Sequence, residues 1–403
     1  MEFDVLILGS DINAYYMSRC LHEAYGKKAH MIGILPMNFT SYSSIIDIKY
    51  EKDLQETESF KRILKEFALE HSGRKLLLIG SNDTYVRLII ENQEFLSQYY
   101  VFHRYDEELL NYLLVMERFY ANFPELDKPE TIIYNINDDL DIEAVEAFKY
   151  PLIVKPSDGI LYHKHEFETQ AKVYKIHNRE ELIDTVNKIR ESGYDANLII
   201  QKFIKGDDSY LFDAVAYVDR NGKCKLISFA QIALQEHTPT GIGNATVVVN
   251  GYNQFGKTKE TVEKLQKFIE STGFHGFCEF DMKYDADDQK FKVLEINPRQ
   301  ARCSYYLCFA GYNLVKYLVE DLIEGKELPY HFIDEEVAVA FVPLRVIKDF
   351  VENEDLKNKV LDLYAAKKFV NPLKYRKDSP LKRKLWLTVR DFNYYKKYKV
   401  NNW

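Results

Sequence analysis

The sequence predicts a mixed fold with two parts in series: a parallel α/β unit, then an antiparallel α+β unit. Over the first hundred residues, short apolar strands alternate with amphipathic helices, the pattern of a helix-covered parallel sheet. Two hairpin signals come later. In 209–234 apolar runs flank Asn221-Gly222, and in 276–299 they flank an acidic loop. At 403 residues the chain also exceeds what one hydrophobic core organises, so two or three packed units are expected.

In order, "FDVLILGS" (3–10) reads as a strand and a Gly-Ser turn, and "INAYYMSRCLHEAYG" (12–26) as a helix. "AHMIGIL" (29–35) is a second strand, "FKRILKEFALEHSG" (60–73) an amphipathic helix, and "RKLLLIGSND" (74–83) a strand ending in a polar loop. Ligands of such a sheet bind past the strand carboxyl ends. No GxGxxG follows the first strand, which argues against a nicotinamide enzyme. Residues 106–124 read as helical and 128–135 as extended. Segments 148–159 and 197–209 are buried strands, the first ending at Lys155-Pro156. From about 350 the chain is helical, basic and aromatic.

Composition narrows the compartment and the partners. The five cysteines, Cys20, Cys224, Cys278, Cys303 and Cys308, form no CxxC pair and point to reduced thiols in the cytoplasm. The N-terminal "MEFDVLILG" does not read as a signal peptide, and no run of about 18 apolar residues predicts a transmembrane segment. Residues 367–403 carry 12 Lys and Arg against 2 Asp; with −8 over the whole chain, the rest carries −18. A nucleic-acid partner is not expected, because the acidic body would repel it. The tail, with Trp386, Phe392, Tyr394, Tyr395, Tyr398 and Trp403, is expected to dock on that body. An anionic membrane surface or a diphosphate-bearing precursor is the other reading. The sequence allows a homodimer and says nothing more of assembly.

Chemistry concentrates in a few stretches. In "KVLEINPRQARCS" (292–304) Glu295 and Asn297 are two apart on a strand and so share a face. Asp281 lies on the partner strand of the same hairpin, with Glu279 on its face as a reserve ligand. Facing carboxylates repel unless a cation lies between them, and hard oxygen ligands suit Mg²⁺. Arg299 and Arg302, just past the strand, are placed for the anion that such a metal holds. Lys155 at a strand end suits a phosphate, although a snorkelling surface lysine reads the same way. The main chain of Lys202, Phe203 and Ile204 offers donor and acceptor groups for a purine, and Asp208 could accept from ribose hydroxyls.

The order of an apolar strand with Lys-Pro, then "QKFIKGDD", "EFDMKYD" and "LEINPR" resembles the ATP-grasp carboxylate–amine ligases, and among them the D-aspartate ligase type. "NPRQARCS" also resembles the corresponding turn of carbamoyl-phosphate synthetases. The resemblance implies an ATP-grasp fold over 106–345, an N-terminal Rossmann-like domain over 1–105 and a basic helical tail over 346–403. It implies ATP and Mg²⁺, with Lys155 on the phosphates, Gln201 and the 202–204 backbone at adenine, and Asp208 at ribose. Asp281, Glu295 and Asn297 would ligate Mg²⁺, and Arg299 and Arg302 would face the phosphates and the acyl phosphate. The implied reaction joins an amino-acid carboxylate to an amine, here D-aspartate to the lysine side chain of a peptidoglycan precursor. Ligation of another amino acid or peptide, or nucleotide binding without catalysis, are the alternatives.

Two departures stand out. Met116 occupies a position where the family usually has lysine; either Arg118 substitutes for it or this phosphate contact is missing. The loop after Lys155 has one glycine, and its His163 and His165 read as solvated residues. "HTPTGIGNATVVV" (237–249) reads as a substrate loop between strands.

Overall fold

The computed structural model describes residues 2–238 and 241–401. Its first sheet has four parallel strands in the order Ile46–Tyr50, Ala29–Gly33, Phe3–Leu8, Lys75–Gly80. Asp11 caps the helix Ile12–Tyr25 by accepting from the Ala14 N–H, and Gly26 ends it in the left-handed region. Ten consecutive residues of this helix, Ile12 to Leu21, are buried. One side meets its own sheet, and the other packs on Ala301, Tyr305 and Tyr306 of the following unit. A helix buried all round is enclosed by two layers, so the N-terminal unit and the body share one core.

The second sheet is small and antiparallel, ordered Thr131–Tyr134, Leu198–Lys202, Leu152–Pro156, Tyr174–Ile176. The helix Arg179–Glu191 packs Leu182, Val186 and Ile189 against it. The third sheet has nine strands. Its main path runs Lys290–Asn297, Gly276–Asp285, Leu211–Val218, Ala230–Gln235, Ala245–Asn250, Val337–Ala340, Phe369–Val370. Both hairpins expected from the sequence are present. Asp219 accepts the N–H groups of Asn221 and Lys223 and so builds the first turn. The helix Thr258–Ser271 buries Val262, Leu265, Phe268 and Ile269 on one face of this sheet, against Phe212 and Phe280.

The basic tail is part of the fold. Phe369–Val370 extends the large sheet parallel to Val337–Ala340. The helix Leu381–Val400 buries Arg383, Arg390, Tyr394 and Tyr398. The Arg383 guanidinium lies 3.8 Å from the Tyr15 ring centroid and 3.3 Å from Asp378, and it donates to the Phe39 carbonyl at 2.7 Å. Asp378 in turn accepts from Tyr15 Oη, Ser43 Oγ and the Ser44 N–H. Trp403, counted with the tail aromatics, lies outside the described residues. Among the described residues no helix is long and apolar enough to cross a membrane.

Candidate active site

Two neighbouring cavities share Gly243 in their walls: the larger opens between the small and large sheets, and the smaller between the large sheet and the N-terminal unit, whose Asp11, Asn13 and Asn82 line it. The larger, about 470 Å³, is lined by Ile153, Lys155, Gln201, Phe203, Ile204 and Leu294 among others. The Lys202 ammonium pairs with Glu130 at 2.9 Å and its N–H donates to the Glu130 carbonyl at 3.1 Å, so the free main-chain N–H groups of this stretch begin after it. Phe203 is flanked by the ammonium groups of Lys175 and Lys283, 4.9 and 5.1 Å from its centroid. Burial lowers Lys283 to about 8. Asp208 lies in the same wall, but its carboxylate accepts from the Gln235 N–H, Gln235 Nε2 and His237 Nε2. A carboxylate has about four acceptor sites, so little of Asp208 is left for a ribose hydroxyl. Phe350, Glu352 and Asn353 complete the wall from a distant part of the chain. Their sequence carries no motif that signals this role.

The smaller cavity, about 320 Å³, is acidic. Strand register sets Asp281 opposite Glu295, Glu279 opposite Asn297, and Asp213 opposite Asp281 on its other side. The structure therefore brings the three expected metal ligands together, with Glu279 beside them. The Asn297 amide donates to Asp281 at 3.1 Å and to Glu279 at 3.4 Å. Asp213 was not singled out in the sequence, because one acid in the apolar strand "LFDAVAYV" announces nothing until its neighbours are known. Burial and the Asp213 charge push Glu279 up to about 8, and burial and Asp281 push Asp213 to about 7. Burial tends to raise Glu295 as well, but the Lys172 ammonium, 3.5 Å away, helps hold it down at about 2.

This donor set fits a divalent cation. Five carboxylates, Asp11, Asp213, Glu279, Asp281 and Glu295, line one cavity, and Asp213 Oδ1 is buried without a hydrogen-bond partner. Cys303 also lies within reach, but burial keeps its thiol protonated and it donates to Asp213 at 2.5 Å. Hard Mg²⁺ has no use for it.

Lys155 is buried above the Tyr120 ring, 5.3 Å from its centroid, and donates to its hydroxyl at 3.3 Å. Desolvation lowers its ammonium to about 8, against the pull of Glu295. Arg299 lines the acidic cavity but is held on two sides, by Asp83 at 2.8 Å and Glu279 at 2.9 Å. It thus ties the helix Asp83–Glu91 of the N-terminal unit to the acids. Arg302 lines the same cavity, 3.7 Å from Glu236 and 3.5 Å from the Tyr394 hydroxyl of the tail helix.

Of the two readings at Met116, the structure disfavours substitution by Arg118. Its side chain is exposed, set over the Tyr112 ring at 6.0 Å, and it lines neither cavity. The cation the sequence reading missed is Lys172, which lies in an irregular loop with no strand or Lys-Pro signal. Arg118→Ala should leave the KM for ATP within about twofold, and Lys172→Ala should raise it about tenfold or more. A large effect of Arg118→Ala in steady-state kinetics would reverse this assignment. His163 is exposed and His165 half-buried, and neither lines the cavities. In the 237–249 segment, Ile242 to Ala245 line one cavity or both, and Gly243 has φ +88°. Pro239 and Thr240 of that segment lie outside the described residues.

Residues 247–341 match a family model described as ATP-grasp in the biosynthetic pathway with Ter operon. Over 414 aligned residues the chain is 31% identical to a D-aspartate ligase of Enterococcus faecium, covering 99% of this chain and 96% of the relative. The chain belongs to the ATP-grasp ligases. This ligase is therefore an enzyme that forms carbon–nitrogen bonds, with ATP and Mg²⁺ as cofactors. Solved structures share its fold. One is N5-carboxyaminoimidazole synthetase from Staphylococcus aureus complexed with ADP, with TM-score 0.61 and 15% identity over 84% of this chain and 82% of that one. Another is the biotin carboxylase domain of Hydrogenobacter thermophilus 2-oxoglutarate carboxylase, in complex with MgADP, ADP and bicarbonate. Its TM-score is 0.58, with 14% identity over 83% of the ligase and 73% of that chain.

Proposed function

We propose that the ligase activates the β-carboxylate of D-aspartate with ATP and transfers the aspartyl group to the lysine side-chain amine of a peptidoglycan precursor. The observation that carries this reading is the likeness to D-aspartate ligase along nearly the whole of both chains. The reaction is assigned to the cytoplasm, where ATP and such precursors meet.

Lys155, Gln201 and the 202–204 backbone are proposed to hold the nucleotide, with one remaining acceptor site of Asp208 at the ribose. Asp281, Glu295 and Asn297 would hold Mg²⁺, which when bound offsets the negative charge of the phosphates. The substrate carboxylate oxygen takes the γ-phosphoryl group, the bond to the ADP oxygen breaks, and an acyl phosphate results. The free amine then attacks the acyl carbon, phosphate leaves with the C–O bond electrons, and the amine nitrogen loses a proton. No protein nucleophile is needed, so the protein contributes position and charge. Lys155 and Lys172 supply fixed cations near the transferred group. Arg302 and Arg299 are proposed to face the acyl phosphate, with Arg299 exchanging the oxygens of Asp83 and Glu279 for those of the ligand.

Phosphate release across a panel of D- and L-amino acids, with and without a lysine-bearing muramyl peptide, tests the proposal. Release with D-aspartate and that acceptor, and trapping of an aspartyl hydroxamate by hydroxylamine, are expected. Release with a different amino acid would reassign the substrate, and none with any would leave a nucleotide-binding protein.

A further inference from the structure

The helix Leu381–Val400 has two faces of opposite fate. Arg383, Arg390, Tyr394 and Tyr398 form its docked stripe. Leu381, Leu385, Val389 and Phe392 recur at the same helical spacing and are exposed by 84, 65, 50 and 62%. An apolar stripe at this spacing buries itself in a globular helix, yet here it faces solvent. Lys382, Lys384, Lys396 and Lys399 are exposed along the same helix, while Lys397 turns back to Glu236 at 3.7 Å. The Lys396 ammonium lies over the Phe392 ring at 4.6 Å, so its stem lies along the apolar surface. The only acid of the helix, Asp391, is half-buried and paired with Lys374 at 2.7 Å. The outer face is thus apolar, cationic and free of carboxylate.

We propose that this face is a docking surface for a bilayer carrying anionic headgroups, with the leucines and Phe392 entering the interface and the lysines meeting the phosphates. Charge selects this occupant. A membrane-surface helix combines such an apolar stripe with flanking lysines, and anionic lipid attracts each lysine. A second copy bound about a two-fold axis would bring the same lysines face to face, which like-charge repulsion opposes. The inference does not depend on which amino acid the ligase activates, since every residue in it lies outside both cavities.

Sedimentation of the full chain with vesicles tests it. Vesicles of phosphatidylcholine with about 30% phosphatidylglycerol should pellet the protein at about 50 mM salt, and pure phosphatidylcholine, or about 500 mM salt, should pellet about tenfold less. The double variant Leu385→Gln, Phe392→Gln should lose binding to a similar degree with its Tm unchanged, because both side chains are already in water. Lys382→Glu with Lys396→Glu should do the same. Failure to pellet with anionic vesicles, or equal pelleting of wild type and variants, would overturn the proposal. So would a concentration-dependent dimer that the Leu385→Gln, Phe392→Gln variant abolishes, since the stripe would then be an interface between copies.

Discussion

Replacing Glu295 by Gln should lower turnover by about two decades or more, equivalent to about 3 kcal/mol of lost transition-state stabilisation, and leave the fold intact. Gln keeps the shape and the strand register with Asp281. It removes the carboxylate that stays ionised most firmly in the cavity, held at about 2 with the help of Lys172, while Glu279 and Asp213 sit near 8 and 7. The remaining acids hold their charge less readily, so they are poor substitutes. Stability is affected from both sides. Lys172 loses its ion pair, but repulsion against Asp281 is relieved as well. The check is kcat at saturating ATP and Mg²⁺, alongside a thermal melt. Near-native turnover would remove Glu295 from the metal site.

Ending the chain after Ala366 should abolish a stable fold. The cut removes the strand Phe369–Val370 and the helix Leu381–Val400, and so uncovers Val342, Val346, Ile347 and Val351 beneath Tyr394 and Tyr398. Each large side chain uncovered costs about 1.5–3 kcal/mol. The four together cost about 6–12 kcal/mol, comparable with the roughly 5–15 kcal/mol that holds a domain together. The subtler variant Asp378→Ala leaves the Arg383 guanidinium buried without its carboxylate, which should cost about 3–5 kcal/mol. Urea denaturation of Asp378→Ala and dye binding to the truncated chain read the two effects. A truncated protein that melts where the full chain does would show the tail to be an appendage.

What was legible in the sequence follows from how local each signal is. The hairpins and the Asp281, Glu295, Asn297 trio could be read because strand periodicity and a turn fix which side chains meet. Ile46–Tyr50 went unread because it is an edge strand with mostly exposed side chains, so its apolar run is short. The strand Tyr174–Ile176 is only three residues long, too short for periodicity to register. In the site, Asp213 and Lys172 reach the acids from other strands and loops, and no spacing rule links them to Glu295. Arg118 misled because sequence nearness to Met116 is not spatial equivalence. The turn of helix that buries Phe119 leaves Arg118 in solvent. Arg299 was recognised, but its grip on Asp83, 216 residues earlier, exists only in three dimensions.

The contact between Asp378 and Tyr15 spans 363 residues of chain. During synthesis, then, the N-terminal helix is finished long before its last partner exists. Tyr15, Ser43 and Ser44 must wait for the one carboxylate that satisfies them together. Loop-closure entropy grows only slowly with length, so the long wait costs little at equilibrium, but contacts of this range form late. The nascent ligase therefore passes most of its time on the ribosome with the surface for Arg383 and Tyr394 uncovered. The step that closes this core is the arrival of a basic helix on an acidic body, and opposite charge should hasten it while salt should slow it.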